Sequence, residues 1–453
     1  MSIPYSFTKI LGQTQWHLTT YQIITLGFAG FILFGAWLLM LPFASKTGEG
    51  LCFIDALFTA ASAVCVTGLV VVDTGTRFTV FGQLVIIMLI QVGGLGVMTV
   101  ATLFVVLSGK RINLRERLLI QEATNQFDLA GVVRLVIYVI KATVLIEFIG
   151  GSILAVRFYQ DFGSLGIYYG YWHAVSSFCN AGFDLLGNYK SLTAYVEDVT
   201  INLTVAGLII IGGIGFPVIA DIVHFPSSRR LSLHSKIVLA TTLVLIFSGT
   251  VFLFMGEYAN ERTMGELTTG GKVLASFFQS VSARTAGYNS IDIGAMKDGS
   301  IIILVILMFI GASPCSMGGG IKTSTFAVLT ASLAASVTGR KDPCLFHRTI
   351  PQQVVYKAFT VVMISLGLVI IVTLVMTFTE SFSALQILFD VVSSFGTVGL
   401  TTGITPYLTS FGKAGLILTM FVGRVGTMTL LMSLALKSRK SLLRYPDGKV
   451  IIG

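Results

Sequence analysis

Charge is scarce in this chain. Aspartate, glutamate, lysine and arginine make up 11% of its 453 residues, against roughly 25% in soluble domains. Hydrophobic residues reach 54%, and mean hydropathy is +0.86. That balance excludes an ordinary soluble domain and predicts a polytopic membrane protein. Cysteine is also rare, at five residues. Cys65, Cys179 and Cys315 fall in motif loops, Cys344 in a loop expected to be cytoplasmic, and Cys52 alone on the expected outer side. No disulfide framework is indicated. No His or Cys spacing suits a metal. No nucleophile–base pair stands at membrane depth, which sets aside an intramembrane enzyme. A cleavable signal peptide is not evident, since Lys9 precedes a polar stretch and the first long apolar run is 21–41. That run reaches the roughly 20 residues a bilayer requires.

The net charge of +9 does not point to nucleic acid, because of where the basic residues stand. They cluster at Lys110, Arg111, Arg115 and Arg117, at Arg229, Arg230 and Lys236, at Arg340, Lys341, Arg348 and Lys357, and at Lys437, Arg439, Lys440, Arg444 and Lys449. Each cluster follows the second long apolar helix of a repeat. Positive loops mark the cytoplasmic side. They also suit a cytosolic partner or anionic lipid of the bilayer.

Glycine is abundant, and part of it is periodic. A motif recurs at 58–68 (FTAASAVCVTG), 172–182 (WHAVSSFCNAG), 277–287 (FFQSVSARTAG) and 389–399 (FDVVSSFGTVG). Aligned on the final glycine, the copies share an aromatic about ten residues before it and a small residue about five before it. A period of roughly 105 to 115 residues divides the chain into four units. They are a first repeat over 1–110, a second over 111–230, a third over 231–340, and a fourth, with the cytoplasmic C-terminus, over 341–453.

Each unit carries a long apolar helix, M1, at about 21–42, 131–156, 236–256 and 354–378. A polar stretch leads to a short apolar segment, P, at about 53–64, 169–179, 270–282 and 384–395. A second long helix, M2, follows at about 79–107, 197–223, 300–336 and 411–437. Ten to twelve residues cannot cross roughly 30 Å of hydrocarbon. Each P segment is therefore expected to enter, turn and leave by an extended loop, tolerated only where buried or facing a wet cavity. The fold class is an all-α polytopic membrane protein of four tandem M1–P–M2 repeats. Its eight transmembrane helices and four re-entrant pore helices surround a pseudo-fourfold pore. Two crossings per repeat place all four basic loops, and both termini, on one face.

A half-helix ending at the axis presents partial negative charge to a cation. Loop carbonyls can then replace the ion's hydration shell. The candidate filter residues are Val66, Thr67 and Gly68, Asn180, Ala181 and Gly182, Thr285, Ala286 and Gly287, and Thr397, Val398 and Gly399. The alternative is four re-entrant loops packed for structure alone.

A second element lies in M2, at 92–96 (VGGLG), 211–215 (IGGIG) and 422–426 (VGRVG). Its glycines are expected to let helices approach closely. In the third repeat it expands to 310–324 (IGASPCSMGGGIKTS). Pro314 and three consecutive glycines should break that helix. The expected gating loop comprises Gly311, Ala312, Ser313, Pro314, Cys315, Ser316, Met317, Gly318, Gly319, Gly320, Lys322 and Thr323. A kinked packing helix is the alternative. Arg424 stands where sister repeats have Gly94 and Gly213. Below a cation filter its charge would raise the barrier to permeation. A structural arginine bonded to carbonyls of the broken third helix is the other reading, and both can hold. Arg284 is expected to point away from the lumen and brace its loop.

With these features the chain resembles the superfamily of K+ transporters comprising Trk, Ktr and plant HKT proteins, over nearly its whole length. The resemblance rests on the four M1–P–M2 repeats, Gly68, Gly182, Gly287 and Gly399, the broken third M2, and Arg424. With eight spanning helices it is most similar to the membrane subunit of the bacterial Ktr system. That resemblance implies K+ uptake across the bacterial plasma membrane by a homodimer with one pore per subunit. It also implies a cytosolic KtrA-type (RCK) regulatory ring that binds ATP or ADP. This chain itself shows no Rossmann fingerprint and implies no cofactor of its own. HKT members with serine at the first filter position favour Na+, so Gly68 points to K+. Na+-coupled K+ symport, or Na+ permeation on the same scaffold, is the alternative.

Overall fold

The structure, a computed structural model, describes residues 20–96, 99 and 132–434. The first repeat runs through α1 (Thr20–Leu39), α2 (Phe53–Val64), the single turn α3 (Thr74–Arg77) and α4 (Val80–Leu95). The second contains α5 (Val132–Phe162), α6 (Ser164–Phe178), α7 (Val199–Ile214) and α8 (Phe216–Ser228). The third contains α9 (Leu233–Glu257), α10 (Thr269–Ser282), α11 (Asp298–Phe309) and α12 (Thr323–Val337). The fourth contains α13 (Gln352–Thr379), α14 (Ala384–Gly396), α15 (Ser410–Val425) and α16 (Thr427–Leu434). Among the described residues the strand content is one small hairpin, β1 (Cys344–Leu345) against β2 (Arg348–Thr349).

The four M1 helices, α1, α5, α9 and α13, are each long and apolar enough to cross a membrane. Their outward faces stay apolar and exposed, as at Phe34 and Trp37, Leu145 and Phe148, Leu243 and Phe247, and Ile371 and Leu374. The short helices α2, α6, α10 and α14 are enclosed instead, with Phe58, Phe178, Phe278 and Phe389 fully buried. A helix bundle in lipid has this inverted arrangement, because no hydrophobic force drives M1 surfaces together. The end of each M1 is tied to the start of its own M2. Glu257 accepts from the Lys297 N–H at 3.0 Å and the Ser300 hydroxyl at 2.5 Å. Glu380 accepts from the Thr409 N–H at 3.2 Å and its hydroxyl at 2.5 Å. In the second repeat Arg157 pairs with Asp198 at 2.6 Å, and in the first the Thr79 N–H reaches the Ala44 carbonyl at 3.0 Å.

Two elements differ from the sequence expectation. Helix α6 begins at Ser164, five residues before the expected 169, and only Gly163 separates it from α5. Gly163 adopts φ 58°, the left-handed backbone a tight helical hairpin needs. Side chains at Gly166 and Gly170 would strike the backbone of Phe158 and Ala155, so glycine permits the two helices to lie in contact. The second difference concerns M2. A break was expected in the third copy alone, yet α7 and α8 meet at Gly215 with a bend of 99°, and α15 and α16 meet at Gly426. Helix α4 ends at Gly96. These three glycines share φ values of 84°, 90° and 91°, a conformation that no α-helix continues through. The expected extension of the first M2 to 107, the end of the last at 437, and the basic clusters at 110–117 and 437–449 lie outside the described residues.

Candidate functional site

Each pore helix gives way to a loop with the same unusual backbone. Val66, Asn180, Thr285 and Thr397 have φ of 57°, 58°, 71° and 50°. Two residues later Gly68, Gly182, Gly287 and Gly399 have φ of 90°, 68°, 83° and 96°. The residue between has ordinary φ in every copy, so handedness alternates along the loop. Alternation of this kind turns successive carbonyls toward one side. Three of the four non-glycine positions hold a β-branched residue in the left-handed region, which costs on the order of 1–3 kcal/mol each. The surrounding packing imposes it, since all four side chains are fully buried.

The loops close on one another. A Cβ on Gly68 would collide with the Ala181 carbonyl oxygen, and one on Gly182 with that of Ala286. One on Gly287 would strike the Val398 oxygen, and one on Gly399 the Thr67 oxygen. First touches second, second touches third, third touches fourth, and fourth touches first. Every contact is backbone on backbone, and the cycle closes around one axis. The structure thus brings all twelve expected filter residues into a single buried ring.

A serine in each pore helix holds the loop that follows. The carbonyls of Ser62, Ser176 and Ser393 accept the N–H groups of Thr67, Ala181 and Val398, each at 2.8 Å. The Ser62 and Ser393 hydroxyls accept from the Gly68 and Gly399 N–H groups at 3.1 and 3.0 Å. Those of Ser176 and Ser282 donate to the carbonyls of Phe183 and Tyr288. In the first, second and fourth copies these serines stand six residues before the glycine, one position ahead of the small residues expected about five before it. In the third repeat the corresponding serine is Ser282, one residue nearer its glycine than in the other three. The aromatic shifts with it: Phe278 is fully buried, whereas Phe277 is only half-buried. The alignment on glycine that placed Phe277 in the aromatic column is therefore corrected by one position.

Beneath the ring lies the segment between α11 and α12. Its ends are pinned together by a bridge between Ile310 and Ile321. It bonds to the second repeat through Ser313 N–H to Gly213 O at 3.0 Å and Met317 N–H to Gly212 O at 3.1 Å. The Phe216 N–H returns a bond to the Cys315 carbonyl at 3.1 Å. Toward the fourth repeat, the Gly319 N–H donates to the Thr397 hydroxyl at 2.9 Å. The Met317 sulfur stands 3.3 Å from where a Cβ on Gly94 of the first repeat would sit. First and third repeats are diagonal in the ring, so a third-repeat segment that touches the other three crosses the axis. Inside the segment, Ser313 and Thr323 share a hydroxyl bond of 3.0 Å, and Lys322 Nζ donates to Gly318 O at 2.7 Å.

Arg424 reaches this level from α15. Its guanidinium donates to the Met317 carbonyl and to the carbonyls of Gly93 and Gly94. It thus joins the crossing segment to the first M2. Arg284 turns away from the ring, donating to the carbonyls of Thr242 at 3.3 Å and Gly311 at 3.4 Å. M2 glycines make the expected close approaches. A Cβ on Gly93, Gly212 or Gly423 would strike the carbonyl oxygen of Val64, Phe178 or Phe395, at the end of its own pore helix.

Sequence reasoning missed several partners. Asn180 and Thr285 lie 3.1 Å apart, joining the second and third loops. Glu147 of α5 is buried against the Gln91 amide at 3.4 Å. Both partnerships span more than 50 residues and leave no local periodicity to read. The small-residue column about five before each glycine lies beside the bonding serines in three copies and coincides with them only at Ser282.

The family described as TrkH, cation transport protein, matches residues 5–443. The chain is 46% identical over 433 residues to Ktr system potassium uptake protein B of Bacillus subtilis, covering 95% of this chain and 96% of that one. It is 42% identical over 443 residues to potassium/sodium uptake protein NtpJ of Enterococcus hirae, covering 96% and 98%. The crystal structure of the potassium transporter TrkH from Vibrio parahaemolyticus shares the fold, with a TM-score of 0.71 at 18% identity over 93% of this chain and 86% of that one. Matched along almost its full length, the chain belongs to the TrkH family of cation transport proteins, which are ion transporters and not enzymes.

Proposed function

We propose that this chain is the translocating subunit of a bacterial K+ uptake system of the Ktr kind. K+ passes through the glycine ring and then past the crossing segment, driven by the membrane potential. The observation that carries this reading is the closed cycle of four backbone contacts, Gly68 to Ala181, Gly182 to Ala286, Gly287 to Val398 and Gly399 to Thr67. A ring of alternating-handed loops offers carbonyls of Val66–Gly68, Asn180–Gly182, Thr285–Gly287 and Thr397–Gly399 in place of water around a dehydrated ion. Four pore-helix C-termini add partial negative charge at the same level. The potential supplies about 2.3 kcal/mol per charge per 100 mV. Residues 311–323 act as the gate, because a segment lying across the axis must move for an ion to pass. Arg424 both ties that segment down and sets a positive barrier beneath the ring.

In this reading the exposed basic residues Arg229, Arg230, Lys236, Arg340, Lys341, Arg348 and Lys357 face the cytoplasm of the plasma membrane, with both termini on that side. This reading includes a homodimer with a KtrA-type (RCK) ring that binds ATP or ADP beneath it; the Ktr-system name of the 46% identical relative supports a partner subunit. The test is rescue of a K+-uptake-deficient strain on low K+, with and without a co-expressed regulatory ring. No rescue by well-expressed protein in either arm rejects the reading. A second reading, with Na+ coupled or permeant, is favoured by the name of the 42% identical relative, a potassium/sodium uptake protein. Rubidium uptake into vesicles with and without Na+ separates the two.

A further inference from the structure

We propose that Thr397 is a positioning residue that latches the crossing segment to the ring, making displacement of the segment and the geometry of the fourth loop one coupled event. The inference rests on the gate-and-filter reading and adds a mechanical link between its two parts. The Thr397 hydroxyl accepts the Gly319 N–H at 2.9 Å, and both groups are buried. A buried N–H that loses its acceptor pays a desolvation penalty, so the bond holds while the segment stays in place. The backbone of Thr397 is left-handed, at φ 50°, where a β-branched residue is strained. Strain of this sort persists where surrounding structure demands the side chain.

Gly319 and Gly318 have ordinary φ, and what requires glycine there is space. A Cβ on Gly319 would stand 2.5 Å from Thr397 Oγ1 and 2.7 Å from its Cγ2. A Cβ on Gly318 would collide with the Thr285 hydroxyl. Two consecutive glycines of the segment are therefore seated on two threonines of adjacent loops. Thr285 is already engaged with Asn180 at 3.1 Å, which leaves Thr397 as the hydroxyl that bonds the segment. By linkage, whatever stabilises the bound form of the ring biases the segment, and movement of the segment feeds back on ion affinity by the same factor.

The test measures rubidium uptake against external concentration in proteoliposomes of Thr397→Val, Thr397→Ser and Gly319→Ala. Each variant is made in the full chain and again in a chain lacking 318–320, with uptake normalised to folded protein by gel filtration. Thr397→Val is expected to raise maximal uptake roughly two- to tenfold, the population shift one buried hydrogen bond commands, and to shift the half-saturating concentration. Thr397→Ser keeps the hydroxyl and restores both values. Gly319→Ala releases the latch from the other side and mimics Thr397→Val. In the shortened chain Thr397→Val has no further effect on maximal uptake. An unchanged or lowered uptake in Thr397→Val, or an equal increase in the shortened chain, overturns the latch and leaves the gate reading standing. If removing 318–320 does not itself raise uptake, the gate reading falls, and the latch falls with it.

Discussion

The glycine ring and the layer beneath it come from the same four repeats and are built by opposite rules. In the ring, each repeat supplies two positive-φ positions two residues apart, and each glycine meets a carbonyl of the next repeat. Beneath it, the third repeat sends a segment across the axis while the fourth supplies an arginine that bonds to it. The first and second repeats keep plain glycine at the position of Arg424. In the function proposed above, symmetry is kept where four equivalent carbonyl sets can surround one ion and abandoned where a single obstruction is placed and held.

The largest effect should come from breaking the symmetric half. Gly68→Ala, Gly182→Ala, Gly287→Ala and Gly399→Ala each put a Cβ against a backbone carbonyl and strain a left-handed residue by about 1–2 kcal/mol. All four should abolish selective K+ uptake in rubidium-flux assays, to a similar degree. Full activity in any one of them would show that the cycle is not a functional unit. Gly68→Ser and Gly399→Ser should also change ion preference, read as Na+ against K+ competition.

In the asymmetric half, Arg424→Ala removes a charge and three carbonyl contacts at once, and cation flux should rise by about tenfold or more. Flux equal to that of the parent, at normal expression, would refute a barrier role. Next comes a contrast within α15. Gly423→Ala drives a Cβ into the Phe395 carbonyl, whereas one on Gly426 meets only Thr429 Oγ1 at 3.8 Å. The melting temperature in detergent should fall several degrees for Gly423→Ala and by less for Gly426→Ala, whose cost is about 1–2 kcal/mol of backbone strain. The reverse order would mean the helix break matters more than the close approach. Ser62→Ala and Ser393→Ala each delete a bond to a ring glycine, worth about 1 kcal/mol. They should lower selectivity modestly and equally.

The smallest effect lies outside both halves. The Thr268 hydroxyl and N–H bond to the exposed Glu197, at 2.6 and 2.9 Å, and hold its carboxyl below the ordinary value of 4.5. A lowered folded value means that this contribution is present above 4.5 and lost as pH falls through the folded value. A small difference in melting temperature between the parent and Glu197→Gln should exist at neutral pH and vanish in acid.

The ring was legible in sequence because its geometry forbids side chains at four spaced positions, and glycine records that directly. The helix breaks at Gly215 and Gly426 were not, since a glycine that lets helices pack and a glycine that ends one look alike. Gly93, Gly212 and Gly423 do the first, Gly96, Gly215 and Gly426 the second, within the same five residues. Register in the third pore helix was ambiguous because Phe277 and Phe278 are adjacent aromatics, and burial together with the bonding of Ser282 chooses between them. Pro314 and the glycine triplet announced that the third M2 breaks. Where the freed segment goes depends on Gly212, Thr397 and Arg424; the arginine was legible as a partner of the broken helix, and no local pattern encodes the other two.

The third repeat's shorter spacing from serine to glycine carries a consequence for how such a chain can evolve or be rebuilt. Copies that arise by duplication begin as interchangeable parts. With one residue fewer between its anchoring serine and its glycine, that cassette transplanted into another position would set its glycine at the wrong height against the neighbouring carbonyl. The four loops are now bespoke components, and the first, second and fourth remain the only natural candidates for exchange.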